Sequence, residues 1–260
     1  DTRSAATAWG KIADILFQRG DYDEALRIRR EVQLPVYERL GDTRSAATAW
    51  GKIADILFQR GDYDEALRIR REVQLPVYER LGDLRESAIT WGKIADIFYQ
   101  RGEFDEALRI RHEVELPVYE RLGDTRSAAV TWGDIADILN QRDDYDQAAE
   151  FQLRRLHVSE TLGDLDGIAA AKWGLAKIEL AREDLSAAFP LIVDSFGLLQ
   201  QLQRPDGIAA VGSTLGQILL AADEPDQAIV VLKLSLDAAE RIGDESLSTR
   251  LRDLIDGASK

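Results

Sequence analysis

Forty-seven carboxylates and two histidines are the groups in this chain with the plainest capacity for acid–base chemistry. Paired Asp and Glu side chains can act as general acid and base, and a histidine can exchange a proton near neutral pH. The spacing argues against both. The carboxylates recur at helical intervals, the pattern of a solvated helix face. His112 stands where two earlier copies of the same segment carry Arg30 and Arg71, and His157 lies in another copy, so each reads as a surface replacement. There is no HExxH, no cysteine, no glycine-rich phosphate loop between a strand and a helix, and no Gly-x-Ser-x-Gly elbow. The expectation is a non-enzymatic chain that takes no cofactor and no metal.

The elements carrying these residues are organised by repetition. Asp1, Asp42, Asp83 and Asp124 open successive units at a spacing of 41, and residues 1–41 and 42–82 are identical throughout. Such identity points to recent duplication or deliberate design. Units five and six begin near Asp164 and Arg204 and diverge more strongly. The division is therefore 1–41, 42–82, 83–123, 124–163, 164–203, 204–243 and a final segment 244–260, together one repeat domain, since each unit of such an array contacts mainly its neighbours.

Within unit one, Ala6, Trp9, Ile12, Ala13 and Leu16 recur at steps of three and four, predicting a first helix from about Thr2 to Arg19 with one apolar stripe. Gly20 ends it, and Asp21 is placed to cap a second helix, from about Tyr22 to Leu40, with Asp23 and Glu24 in its first turn. That helix is expected to bury Ala25, Ile28, Val32, Val36 and Leu40, while Arg27, Arg29, Arg30 and Arg39 face away. Gly41 stops it. Pro35, Pro76 and Pro117 fall inside the second helices, where a proline normally costs about 3 kcal/mol. Unit four has lost one residue and carries His157 in the proline's place. Either the three prolines sit at a π-bulge or kink that uses the extra residue, with unit four regular, or the helix ends and restarts near Leu34.

Trp9, Ile12, Ala13 and Leu16, followed by Gly20, Asp21, Tyr22, Glu24 and Ala25, resemble the tetratricopeptide repeat (TPR) family along essentially the whole chain. Its glycine is Ala13 here, its tyrosine is Leu16, and the unit exceeds the usual length of about 34 residues by roughly two helical turns. Long units of this kind resemble those of kinesin light chains and large bacterial signalling and ATPase proteins. Unit six is nearer the ordinary motif, with Leu215, Gly216, Leu219 and Ala228 at its core positions. The resemblance implies an all-α, right-handed α-solenoid of six helix pairs with a C-terminal capping helix. It places Trp9, Trp50, Trp91 and Trp132 between paired helices. Trp173 falls one residue later, in the place of Gly10, and is a candidate for ligand contact.

The resemblance also implies a concave wall lined by first helices. Its positions hold Lys11, Asp14 and Phe17, then Lys52, Asp55 and Phe58, then Lys93, Asp96 and Tyr99, then Asp134, Asp137 and Asn140. Lysine and aspartate three apart share one helix face, so repetition builds ladders of charge and aromatic surface. The expected function is a protein-interaction scaffold or sensor arm that docks a peptide or helix of a partner. The competing reading is a structural spacer or self-assembly module whose charged ladders only keep the wall solvated. Asp14, Asp55 and Asp96 replace the asparagine of the family's carboxylate clamp and would repel a C-terminal carboxylate. The more acidic fourth unit favours basic residues in a partner there.

A net charge of −14 with a pI near 4.7 argues against a nucleic-acid partner bound through its phosphates. No apolar run approaches the roughly 20 residues of a membrane span, and the absence of cysteine is compatible with the cytoplasm, the expected location. Leu247, Leu251, Leu254 and Ile255 share one face of the segment Glu245 to Ile255, with Arg250, Arg252 and Asp253 outside, a cap of the kind arrays need. A chain opening without Met inside a repeat is expected to be a piece of something longer. Its first helix should expose apolar surface suited to end-to-end self-association.

Overall fold

The computed structural model describes residues 2–258, and these are helical with no strand among them. Two compact units, residues 1–124 and 125–260, each contain three helix pairs, and the second ends in one further helix. In the first unit the leading helices are Thr2–Gln18, Thr43–Gln59 and Leu84–Gln100. Each is followed by a second helix spanning 22–39, 63–81 or 104–122. The second unit pairs Thr125–Gln141 with Tyr145–Leu162, Leu165–Ala181 with Leu185–Gln201, and Pro205–Ala221 with Pro225–Ile242. Its last helix is Glu245–Ala258.

The expected stripe is realised best in repeat two, where Ala47, Ile53, Ala54 and Leu57 are buried and Trp50 is half-buried. Ile53, Ala54, Leu57 and Trp50 share one core with Ile28, Leu34 and Tyr37 of repeat one, so a leading helix packs on the second helix before it as well as on its own partner. Repeat one, though identical in sequence, exposes Trp9, Ile12 and Ile15 at 42%, 41% and 56%. Ile53 and Ile56, equivalent to the two isoleucines, are 0% and 2% exposed. Position in the stack, not sequence, makes that difference. Ion pairs also run from repeat to repeat within each unit: Arg3 to Asp42 at 2.6 Å, Arg44 to Asp83 at 2.5 Å, and Arg126 to Asp164 at 3.1 Å. Exposed pairs such as these contribute only tenths of a kcal/mol each, so the apolar core dominates the stacking.

The second helices of the first unit depart from the expected register. Residues Ile28–Gln33, Ile69–Gln74 and Ile110–Glu115 are π-helical, a full six-residue segment in each case and not a single bulge. In an α-helix the Pro35 ring would meet the carbonyl four residues back. Here the Leu34 N–H donates to the Arg29 carbonyl five residues back, so the extra residue is absorbed immediately before the ring. Leu75 to Arg70 and Leu116 to Arg111 repeat the arrangement. Tyr145–Leu162, one residue shorter and without the proline, is an unbroken α-helix.

Widening the helix changes which residues face inward. Ala25, Ile28 and Val36 are buried as expected, but Val32 is only half-buried and Leu40 is 52% exposed, while Gln33, Leu34 and Tyr37 are buried instead. Arg29, expected to face away, is 4% exposed, and Arg70 and Arg111 are 5% and 6% exposed. Asp21 and Asp62 stand at the cap positions of their helices but make no side-chain capping bond. In the second unit Leu215, Leu219 and Ala228 occupy the core as read, and Leu251 anchors the last helix with Leu247, Leu254 and Ile255 packed beside it.

Candidate functional site

The buried arginines define the chemistry of the first unit. Arg29 donates from one nitrogen to Asp14 Oδ1 and from another to Gln33 Oε1, both at 2.5 Å. Arg70 does the same to Asp55 and Gln74 at 2.5 Å. Arg111 bonds Asp96 and pairs with the buried Glu115 at 2.6 Å. Burial pulls the Arg70 guanidinium below its ordinary pKa, and Asp55 opposes that shift, leaving a charge-assisted bond from helix to helix. The layer lies so close to the leading helix that a side chain beneath it would force the amide ends of the layer to shift. A Cβ on Gly10 would sit 2.2 Å from Gln33 Nε2, and one on Gly51 would sit 2.3 Å from Gln74 Nε2.

Six of the expected wall residues, Phe17, Lys52, Asp55, Phe58, Lys93 and Asp96, line one cavity of about 340 Å³ together with Ala54, Gln59, Arg70 and Ile97. The site therefore draws on all three repeats of the first unit. Its aromatics are not free plates: Phe17 stacks on Tyr22 at 5.7 Å, Phe58 on Tyr63 at 5.5 Å, and Tyr99 on Phe104 at 5.5 Å, each tilted and half-buried. One ring face is held by the fold and the rest is presented. Lys11, Lys52 and Lys93 are exposed, and Lys93 lies 3.5 Å from Asp96. Lys11, Asp14 and Tyr99 do not border the cavity.

In the second unit the ladder takes another form. Asp137 accepts from Lys177 of the next repeat at 2.6 Å, the cross-repeat pairing expected of a solvated wall. Asp134 and Asn140 are half-buried beside it in sequence register, and Trp173 is half-buried against the core that includes Ala169 and Ile192. Besides Ala54, Gln59 and Ile97, sequence reasoning missed one charged cavity residue, Arg70. Its signal was present in the coincidence of a glycine at Gly51 with an arginine four residues after Ala66, on the helix face that buries Ala66 itself. Among the described residues no group of three or more His, Asp or Glu side chains is arranged to hold a metal.

The sequence matches the tetratricopeptide repeat family profile at residues 4–73 and again at 45–110. This stretch is a tetratricopeptide-repeat array. No curated protein matches the chain by sequence. Among solved structures, the array resembles the Signal Transduction ATPase with Numerous Domains protein from Pyrococcus horikoshii, which has a tetratricopeptide repeat sensor, at TM-score 0.67 and 14% identity over 99% of this chain and 39% of that one. A Podosopora anserina putative kinesin light chain with nearly identical TPR-like repeats aligns at TM-score 0.61 and 14% identity, over 78% of this chain and 98% of that one. The Rap conjugation gene regulator of plasmid pLS20, solved with the Phr* peptide, aligns at TM-score 0.66 and 13% identity, over 93% and 64%. The chain thus spans about two fifths of the first of these proteins. At such identities the likeness is one of fold, and residues 125–258 share with the matched repeats the same alternation of paired helices.

Proposed function

We propose that the tetratricopeptide-repeat array is a non-catalytic, cytoplasmic protein-interaction scaffold or sensor arm whose first-unit groove docks a peptide or helix of a partner. The observation that carries this is the convergence of Phe17, Phe58, Lys52 and Lys93 from three repeats on one cavity. A cavity of about 340 Å³ accommodates one or two side chains, with the flanking ladder left to set register. That the Rap regulator was solved with a peptide is consistent with this use of the fold. Asp137 is already engaged by Lys177, which removes one reason to expect basic residues in a partner of the second unit.

Selection of random 16-residue peptides displayed on phage against the full chain tests the proposal. Enriched peptides should lose binding to the Phe58→Ala variant. A spacer would enrich none, or only peptides indifferent to that substitution. Exchanging Asp55 for lysine is a poor probe, because it would leave Arg70 buried without its carboxylate.

A second reading is favoured by Trp9, Ile12 and Ile15, an exposed apolar face whose counterpart in repeat two is covered by repeat one. The last helix carries Arg250, Arg252, Asp253 and Asp256 outward, so head-to-tail stacking would set charge against this face. Self-association would instead pair two such faces about a two-fold axis. Sedimentation velocity should then show a concentration-dependent dimer that Ile12→Glu abolishes.

A further inference from the structure

From the charges around the first-unit cavity we infer that its ligand is an acidic peptide segment, seating an apolar side chain between Phe17 and Phe58 and carboxylates on the lysine ladder. This rests on the groove reading above and deepens it. The three ladder aspartates, which alone would repel a carboxylate, are each bonded to an arginine buried behind them: Asp14 to Arg29, Asp55 to Arg70, Asp96 to Arg111. Arginine stays protonated, so the first two pairs are neutral toward the groove, while Arg111, shared between Asp96 and the buried Glu115, leaves one negative charge that Lys93 offsets. The lysines are left. Lys11 and Lys52 have no ion-pair partner among the described residues, and Lys93 has Asp96 at 3.5 Å, a carboxylate already shared with Arg111. Around the cavity Lys52, Arg70 and Lys93 outnumber Asp55 and Asp96 by one, in a chain whose net charge is −14. The positive excess is thus local and sits beside an apolar hole. Interleaved carboxylates and the small cavity suit a peptide better than a continuous phosphate backbone.

The test reads the charge of what the groove selects. Phage-displayed random 16-residue peptides are selected on the full chain, and the enriched sequences are synthesised and titrated by fluorescence anisotropy at low and at physiological salt. The enriched peptides should be net acidic and should weaken as salt rises. A variant with Lys11, Lys52 and Lys93 all changed to Glu should weaken them about tenfold or more. The Lys→Gln triple variant should give a smaller loss, and it carries the comparison if the reversed protein folds poorly. Enrichment of neutral or basic peptides that still require Phe58 overturns this inference and leaves the groove reading standing. Failure to enrich any peptide, or enrichment of peptides indifferent to both Phe58→Ala and the lysine variants, overturns both.

Discussion

At one position, four residues past the alanine that opens each second helix, the two units of this array make opposite choices. Repeats one to three place Arg29, Arg70 and Arg111 there; repeat four has Gln152, and repeats five and six have Ile192 and Leu232, all of them buried. The first unit therefore joins its helices here through charged bonds, repeat four through a buried amide, and repeats five and six through apolar packing. Neither is stronger by default, because buried ion pairs recover little more than their desolvation cost. What the charged layer adds is a neutralised aspartate wall with lysines in front of it. The π-segments and the 41-residue spacing belong to the same unit. Pro190 lies inside the unbroken α-helix Leu185–Gln201, so a proline alone does not compel the π-segment. The additional residue in repeats one to three must also be accommodated.

The largest effect should come from removing that residue. Deleting Val73 gives the second helix of repeat two the length found in repeat four while leaving Pro76 to clash with a regular helix. The expected loss is about 3 kcal/mol or more in urea denaturation. Adding Pro76→Ala should restore most of it. If the second change restores nothing, the proline is a passenger and the π-segment serves the extra residue alone.

Next in size is Asp55→Ala, which leaves Arg70 buried with only Gln74 as a direct partner and should cost about 3 kcal/mol. Arg70→Met, which converts the site toward the Ile192 and Leu232 pattern, should stay within about 1 kcal/mol of the parent, because Asp55 keeps access to water. Equal losses in the two variants would mean that packing volume, and not charge pairing, holds this layer.

These effects mark where the sequence was legible. The 41-residue period, the burial of Ala13 and Ala25 and the stops at Gly20 and Gly41 all follow from local propensity and spacing, and each holds in the structure. The π-segment was one of two readings because the proline and the added residue vanish together in repeat four. The inward turn of Arg29, Arg70 and Arg111 was missed because their charge was taken as a sign of exposure: each stands four residues past a buried alanine, on the same helix face, where the regular helices of repeats four to six bury Gln152, Ile192 and Leu232. The wall charges were misjudged as a consequence, since aspartates counted as free are bonded from behind. Trp9 was assigned to a core that repeat one completes only for the repeat after it.

A smaller difference between the units lies in their turns. After its leading helices the first unit uses Gly20, Gly61 and Gly102 at positive φ, where the second uses Asp143, Glu183 and Asp223 at φ near +60°. A side chain in that region costs about 1–2 kcal/mol, less what glycine loses in chain entropy on folding. Glu183→Gly should therefore raise stability by about 1 kcal/mol, while Gly61→Ala should lower it by a similar amount. Thermal melts of the two variants measure both directions of the same exchange.

The smallest expected effect is at the starts of the second helices. Asp21 and Asp62 make no capping bond, whereas Asp184 accepts from the Ala187 N–H at 3.0 Å and from the Ser186 hydroxyl at 2.6 Å. The Ser186 hydroxyl first and the Ala187 N–H second hold the Asp184 carboxyl below its ordinary value. A carboxyl depressed in the folded state stabilises fully above its unfolded pKa, near 3.9, and that contribution disappears as pH falls through the folded value. Amide exchange at the start of Leu185–Gln201 should therefore accelerate on acidification below about pH 4 beyond the intrinsic pH dependence of exchange. Asp184→Asn keeps an acceptor for the helix N–H groups and removes the titrating group, so its exchange at this helix should lose the acid-induced step. If the step persists in that variant, another carboxylate governs the opening of this helix, and the contrast between capped and uncapped starts carries no pH dependence.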